Sequence, residues 1–315
     1  MMPPVARRAV DGVLLLNKPR GLTSQQAVSR AKRLFQARKA GHTGTLDPLA
    51  DGLLPLGFGE ATKFSQFLLD ADKRYLATLR LGVVTNTGDA EGEIIREQPV
   101  TVTPAQLSAV LPGFTGALWQ TPPMHAAIKV DGKPLYAYAR AGETVAREPR
   151  RITINDIQLI DFICKTVILR VSCSKGTYIR VLAEDIGAAL GCGAHLTALT
   201  REGAGVFDLA NAVSLDALEA MVMPQRMQCL LPPETFAAGL PRLELGAGDE
   251  RRISAGQQVV SAAAATGLYR LYGTAGAFVG IGEVAAGMLA ARRLMTREPA
   301  PAGRQIGLSN PGVTG

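Results

Sequence analysis

Histidine and cysteine are scarce in this 315-residue chain, three and four residues respectively. That scarcity removes whole classes of chemistry. Cys164, Cys173, Cys192 and Cys229 form no C-x-x-C pair, and Cys192 with His195, even with Cys173 upstream, matches no common zinc spacing, so no metal centre is expected. None of His42, His125 and His195 adjoins a recognisable nucleophile motif, which argues against serine or cysteine catalysis. Glycine is plentiful, yet "GFGEAT" at Gly57 lacks the third glycine of a dinucleotide fingerprint and "SKGTY" at Ser174 lacks phosphate-loop spacing. No apolar run approaches the roughly 18 residues of a membrane-spanning helix. Residues 13–16 are too short for a signal-peptide core, and no small-residue cleavage site follows. A soluble, cytoplasmic protein with free thiols is the expectation.

What is present is a globular balance, 47% hydrophobic and 19% charged, in a chain long enough for one large and one small domain. The net charge is +7. Residues 1–80 carry 13 Lys and Arg against 6 Asp and Glu, so this quarter holds the whole excess. A polyanionic partner is implied, with its contact face beginning there.

Along the chain, "GLTSQQAVSRAKRLFQARKAGH" reads as a helix, capped by Thr23 or Ser24, with Ala27, Val28, Ala31, Leu34 and Phe35 as its apolar stripe and Gly41 as its stop. "EATKFSQFLLDADK" predicts a second helix, and "TPAQLSAVL" a third with Thr103 as N-cap and Pro104 at its first position. "RYLATLRLG" alternates as a strand, placing Tyr75, Ala77, Leu79 and Leu81 on one face. "AAIKVDGKPLYAYAR" and "RITINDIQLIDFICKTVILRVSCSKG" predict β-structure around turns, and "YIRVLAEDIGAALG" returns to helix. This mixture has no βαβ rhythm, so an α+β fold with a mixed, largely antiparallel sheet flanked by helices is expected. Proline and glycine density rises around "MPQRMQCLLPPETFAAGLP", which sets a boundary near residue 240. Residues 241–297 predict a small β-rich domain, and 298–315 a disordered tail.

One stretch is unusual: "AGHTGTLDPLADGLLPLGFGEATKF" sets one His and two Asp in an apolar frame of Gly, Thr and Pro. On spacing alone, Asp47 followed by Pro48 reads as a helix N-cap. Five blocks, "NKPRGLTS", the stretch just quoted from Gly41 onward, "DKRY", "SCSKGTYIRVLAEDIG" and "LGCGAHLTALTR", resemble in order and spacing the bacterial TruB family of tRNA pseudouridine synthases. The resemblance covers roughly residues 10–240. The C-terminal segment resembles, more weakly, the family's PUA-type RNA-binding domain.

The resemblance implies isomerisation of uridine to pseudouridine at position 55 in the tRNA T-loop, with no metal or organic cofactor, by a monomer whose partner is the tRNA T-arm. It makes Asp47 the essential carboxylate, acting first either at the sugar carbon or on the sugar 2′ proton, and Arg180 its paired cation. Tyr75 would stack on the flipped base and help remove the C5 proton. Tyr178 and Leu199 would line the pocket, and His42 would assist flipping. Lys18, Lys63 and Asp89 lie in matching segments, with phosphate-binding or pocket-supporting roles implied. Thr45 and Asp51 fall where family members vary. Two other readings share these residues: an RNA-folding protein without chemistry, and a uracil-releasing glycosylase.

Overall fold

The structure is a computed structural model, and it describes residues 7–263 and 265–296. The tail expected at 298–315 lies outside the described residues. The chain divides into two compact units between Leu240 and Pro241.

In chain order the first unit lays down β1 (Gly12–Lys18), β2 (Ala40–His42), β3 (Ala50–Phe58), β4 (Lys73–Leu81), a hairpin of β5 (Val83–Thr85) and β6 (Ile94–Glu97), and β7 (Gly116–Gln120). A second hairpin of β8 (Lys129–Val130) and β9 (Lys133–Pro134) follows, then β10 (Arg150–Ile163), β11 (Thr166–Cys173), β12 (Ala194–Ala204), β13 (Phe207–Asp208) and β14 (Val213–Ser214). One sheet runs in the order β14-β1-β3-β12-β4-β11-β10-β7, with β2 added to β3 and β13 to β12. Within it only β1 with β14 and β3 with β12 pair in parallel. The sheet is therefore mixed and largely antiparallel, as its alternating strands predict.

Because side chains alternate along a strand, β4 and β11 send Ala77, Leu79, Leu169 and Val171 into the core. Helices α1 (Ser24–Leu34) and, later in the chain, Ile179–Ala189 supply Ala27, Val28, Leu182 and Ile186 to the same core. Residues of the opposite phase are half-buried or exposed, and the exposed ones form surface pairs such as Arg170 with Glu202.

Several local expectations change. Helix α1 has Thr23 as its N-cap, in a capping box with Gln26, but it stops at Leu34 instead of running toward Gly41. Gln36 adopts a left-handed φ of 52°, and Ala40–His42 is drawn out as a strand along β3. The second predicted helix is split into a 3-10 turn, Gly59–Phe64, and the short α2 (Gln66–Leu69). The third, α3 (Pro104–Val110), begins as read, capped by Thr103. "LYAYAR" is not strand but helix α4 (Leu135–Arg140): Asp131 and Gly132, both at positive φ, close the β8–β9 hairpin, and the helix starts directly after Pro134. No helix follows Asp47, so the N-cap reading of that residue fails. A turn closed by the Ala50 amide on the Asp47 carbonyl, 3.1 Å, leads straight into β3.

The second unit carries β15 (Arg242–Glu244), β16 (Val259–Val260), β17 (Gly267–Tyr272), β18 (Phe278–Ala285) and β19 (Met288–Leu294), ordered β15-β17-β18-β19-β16. Its own core gathers Leu245, Ile253, Leu271, Val279 and Leu289. Among the described residues no helix is long and apolar enough to cross a membrane.

Candidate active site

The loop between β2 and β3 is tied down at nearly every residue. Ser24, the buried first residue of α1, accepts from the Leu46 amide at 2.7 Å and donates to the Leu46 carbonyl at 3.0 Å. The Thr43 amide donates to the Pro55 carbonyl at 3.2 Å, and the Gly21 amide to the Pro48 carbonyl at 2.8 Å. Lys18, wholly buried at 0% exposure, donates to the carbonyls of Pro19 and Leu22, 2.9 and 2.6 Å, and so closes the adjoining turn. Burial lowers its pKa to about 8. Its ammonium is thus committed to main-chain carbonyls inside the protein. With Leu46 pegged in the core, the next side chain, Asp47, is held at the surface of a cavity.

Asp47 meets Arg180 there, Oδ2 to Nη2 at 3.0 Å. Arg180 also reaches Asp89 at 3.4 Å and donates to the carbonyls of Thr87 and His125, 3.2 and 2.9 Å. Four acceptors thus fix a buried guanidinium. Asp89 is itself held by the Thr87 hydroxyl and the Glu91 amide, 2.7 and 3.1 Å. The Asp47 side chain keeps 40% of its surface open to the cavity. Burial is the largest influence on its carboxyl and pushes the pKa above the ordinary value, Arg180 opposes this, and Asp89 adds to it.

Two cavities, of about 400 and 480 Å³, share Asp47, Arg180, Thr45, Leu46, His125 and Ala127. Asp47 therefore stands in the wall between them. The smaller is lined by Tyr75, Tyr178, Leu199, Arg201 and Lys73. The larger is lined by His42, Asp89, Glu91, Tyr136 and Arg140. Strand register explains the first set: β12 lies between β3 and β4, pairing Leu199 with Ala50 and Ala77, and Arg201 with Gly52 and Tyr75. Burial raises the Tyr75 and Tyr178 phenols above their usual range, and the positive charge of Arg201 opposes the shift at Tyr75. His42 accepts the Gly44 amide at Nδ1, 3.3 Å, and burial with Arg201 nearby lowers its pKa, which favours the neutral ring.

The structure thus brings together Asp47, Arg180, Asp89, Tyr75, Tyr178, Leu199 and His42. Lys63 is not among them: it lines neither cavity, and its ammonium pairs with Glu60 at 2.6 Å on the same 3-10 turn.

Sequence reasoning passed over Arg201 and Gln120. Arg201 is 1% exposed, donates to the Leu53 carbonyl at 2.7 Å and the Gly44 carbonyl at 3.3 Å, and makes no carboxylate pair among the described residues. A buried cation facing a tyrosine in a cavity is a strong feature, but the chain signals it only as the last residue of "LTALTR". Gln120 gives no signal at all.

A family profile described as TruB family pseudouridylate synthase (N terminal domain) matches residues 32–179. One described as tRNA pseudouridylate synthase B C-terminal domain matches 180–236, and one described as Pseudouridine synthase II TruB, C-terminal, matches 241–295. The tRNA pseudouridine synthase B of Thiobacillus denitrificans is 54% identical over 92% of this chain and 97% of its own. That of Ralstonia nicotianae is 55% identical over 92% and 95%. Among solved structures, a chain of a Cbf5-Nop10-Gar1 complex superposes with a TM-score of 0.67 at 26% identity, covering 86% of this chain and 78% of that one. With more than half its residues shared with such relatives over nearly its whole length, the chain belongs to the TruB family of pseudouridine synthases.

Proposed function

We propose that the chain isomerises uridine to pseudouridine in tRNA, at position 55 of the T-loop. The observation that carries this reading is the Asp47–Arg180 pair set in the wall of a cavity that Tyr75, Tyr178 and Leu199 also line. Its volume of about 400 Å³ suits one extruded nucleoside.

The reaction breaks the bond between the sugar C1′ and N1 of uracil, turns the base, forms a bond from C1′ to C5, releases the C5 proton and leaves N1 to take up a proton in its place. No atom is lost from the RNA except by exchange of that proton with water. The site supplies what these steps need. Asp47 in its ionised form acts either on the sugar carbon or on the 2′ proton, and Arg180 offsets the cost of keeping that charge in a partly buried place. Tyr75 offers a ring for stacking and an oxygen for the C5 proton, while Leu199 and Tyr178 keep the detached base from leaving. His42, uncharged, stands in the neighbouring cavity, where it can contact the RNA that surrounds the flipped nucleotide.

An unmodified T-arm RNA carrying tritium at uracil C5 tests the reading. The expected outcome is release of tritium to water, pseudouridine on nucleoside analysis and unchanged RNA mass apart from the label. An abasic product would mark a glycosylase. Binding without release would leave an RNA-folding protein.

A further inference from the structure

The helix Ile179–Ala189 carries Arg180 in its first turn and has Tyr178 as its N-cap, so it aims two of the side chains that line the site. Its own sequence does not hold its start. Tyr178 makes no side-chain cap bond, and the residue three positions on is Val181, which cannot return a hydrogen bond to the cap amide. Elsewhere the chain does this locally, with Gln26 serving Thr23 and Gln106 serving Thr103. The preceding turn is open: Gly176 is exposed at a φ of 80°, and Lys175 reaches out to exposed Asp70.

The missing partner comes from another strand. Gln120, the last residue of β7 and only 5% exposed, turns its amide onto the Tyr178 peptide unit. Its Oε1 accepts the Tyr178 N–H at 2.7 Å, and its Nε2 donates to the Tyr178 carbonyl at 3.1 Å. That carbonyl also takes the first helical bond, from the Leu182 amide at 3.1 Å. Both polar groups of one residue's backbone are thus gripped by one planar side chain, and the grip fixes the dihedrals from which the Tyr178 ring departs. Arg180 is aimed by four acceptors of its own. The Tyr178 ring depends instead on its backbone for direction.

We propose that Gln120 is a positioning residue for the isomerisation, acting through Tyr178 by supplying from a distance the bond to the Tyr178 amide that the helix Ile179–Ala189 does not supply itself. This rests on the function proposed above. Misplacement of a group by about 1 Å can cost on the order of a hundredfold in rate. Loss of the grip therefore lowers turnover at saturating RNA without weakening RNA binding to match.

The test is a double-mutant cycle read by single-turnover pseudouridine formation at saturating T-arm RNA, with RNA affinity measured beside it. Gln120→Met keeps the side-chain length and removes both bonds. The expected result is a loss of about 10- to 100-fold in rate with RNA affinity within about threefold, shrinking to about twofold when the same change is made in a Tyr178→Ala background. Equal losses in both backgrounds, or no loss in a folded Gln120→Met protein, would overturn the proposal. Should Gln120→Met fail to fold, Gln120→Glu, which retains the acceptor for the Tyr178 amide, runs through the same cycle with the same criteria. A wild-type chain that makes no pseudouridine would instead remove the function, an outcome separable from either result for Gln120.

Discussion

In the reaction proposed above Asp47 acts in its ionised form, at a place where burial disfavours charge, and the balance is tuned by two neighbours of opposite sign. Its carboxyl lies above the ordinary aspartate range, so protonation removes the active form while most surface carboxylates are still charged. The rate at saturating RNA is expected to fall on the acid side through a pKa higher than that of a free aspartate. Asp89→Asn removes a repelling charge and leaves Asp47 as the one carboxylate paired with Arg180, which moves this limb to lower pH. Arg180→Gln removes the opposing cation and moves it higher. Single-turnover pH profiles of the two variants read both directions, and shifts of the same sign would contradict the assignment. Asp47→Asn is expected to lower the rate by about 10⁴-fold or more while RNA binding persists, as when a catalytic group is removed. Tritium release from C5-labelled RNA measures it, and substantial release by a folded variant would show that the carboxylate is dispensable. At this scale, residues within continuous motifs were legible, since His42 and Asp47 lie in one block and Arg180 in another, and the order of the blocks is itself informative. Arg201 and Gln120 were not, because each matters through the residue it faces across the sheet or across a loop, and facing is a property of register.

Strands and helices place these residues by close approach. Where β3 passes β12, Gly52 has a φ of 95°, and a Cβ there would lie 2.6 Å from the Arg201 carbonyl oxygen and 2.8 Å from its nitrogen. Both atoms are main chain, so neither can swing aside. Gly52→Ala therefore forces strain and separation together and is expected to destabilise the first unit by about 2 kcal/mol or more, read as a lower urea midpoint. An unchanged midpoint would mean that β3 and β12 can part at this point. The same close approach explains why element type was easier to read than element ends. Strong alternation fixed β4, β10 and β11, but the end of α1 is set by Gln36 turning left-handed and by β2 joining β3. "LYAYAR" fits either period over six residues, and only the preceding hairpin and Pro134 decide for helix.

Across the whole molecule the excess positive charge of residues 1–80 is where a polyanion is expected to be met first. Not every cation in the expected face is available: Arg30 pairs with Glu219 at 3.1 Å. Arg33, Arg38 and Lys39 are exposed. Replacing these three by Ala is expected to weaken RNA binding and flatten the dependence of log K on log salt, by roughly 0.7 to 0.9 for each phosphate that is no longer neutralised. Titrations at several salt concentrations read the slope, and an unaltered slope would take this face out of the interface. The sheet that backs it has a further property. β1, the first strand of the unit, pairs with β3 on one side and with β14, the last, on the other, through Leu16 opposite Leu54 and Leu16 opposite Val213. During synthesis β3 follows early, after α1 and β2, while the other edge of β1 stays open until nearly the entire unit has left the ribosome. Asp47 likewise precedes Arg180 and Arg201 by most of that length. A growing chain can thus present its basic face before it owns a finished site, and the site closes only near the end of translation of the unit, with the slow, non-local pairing that a sheet of this topology demands.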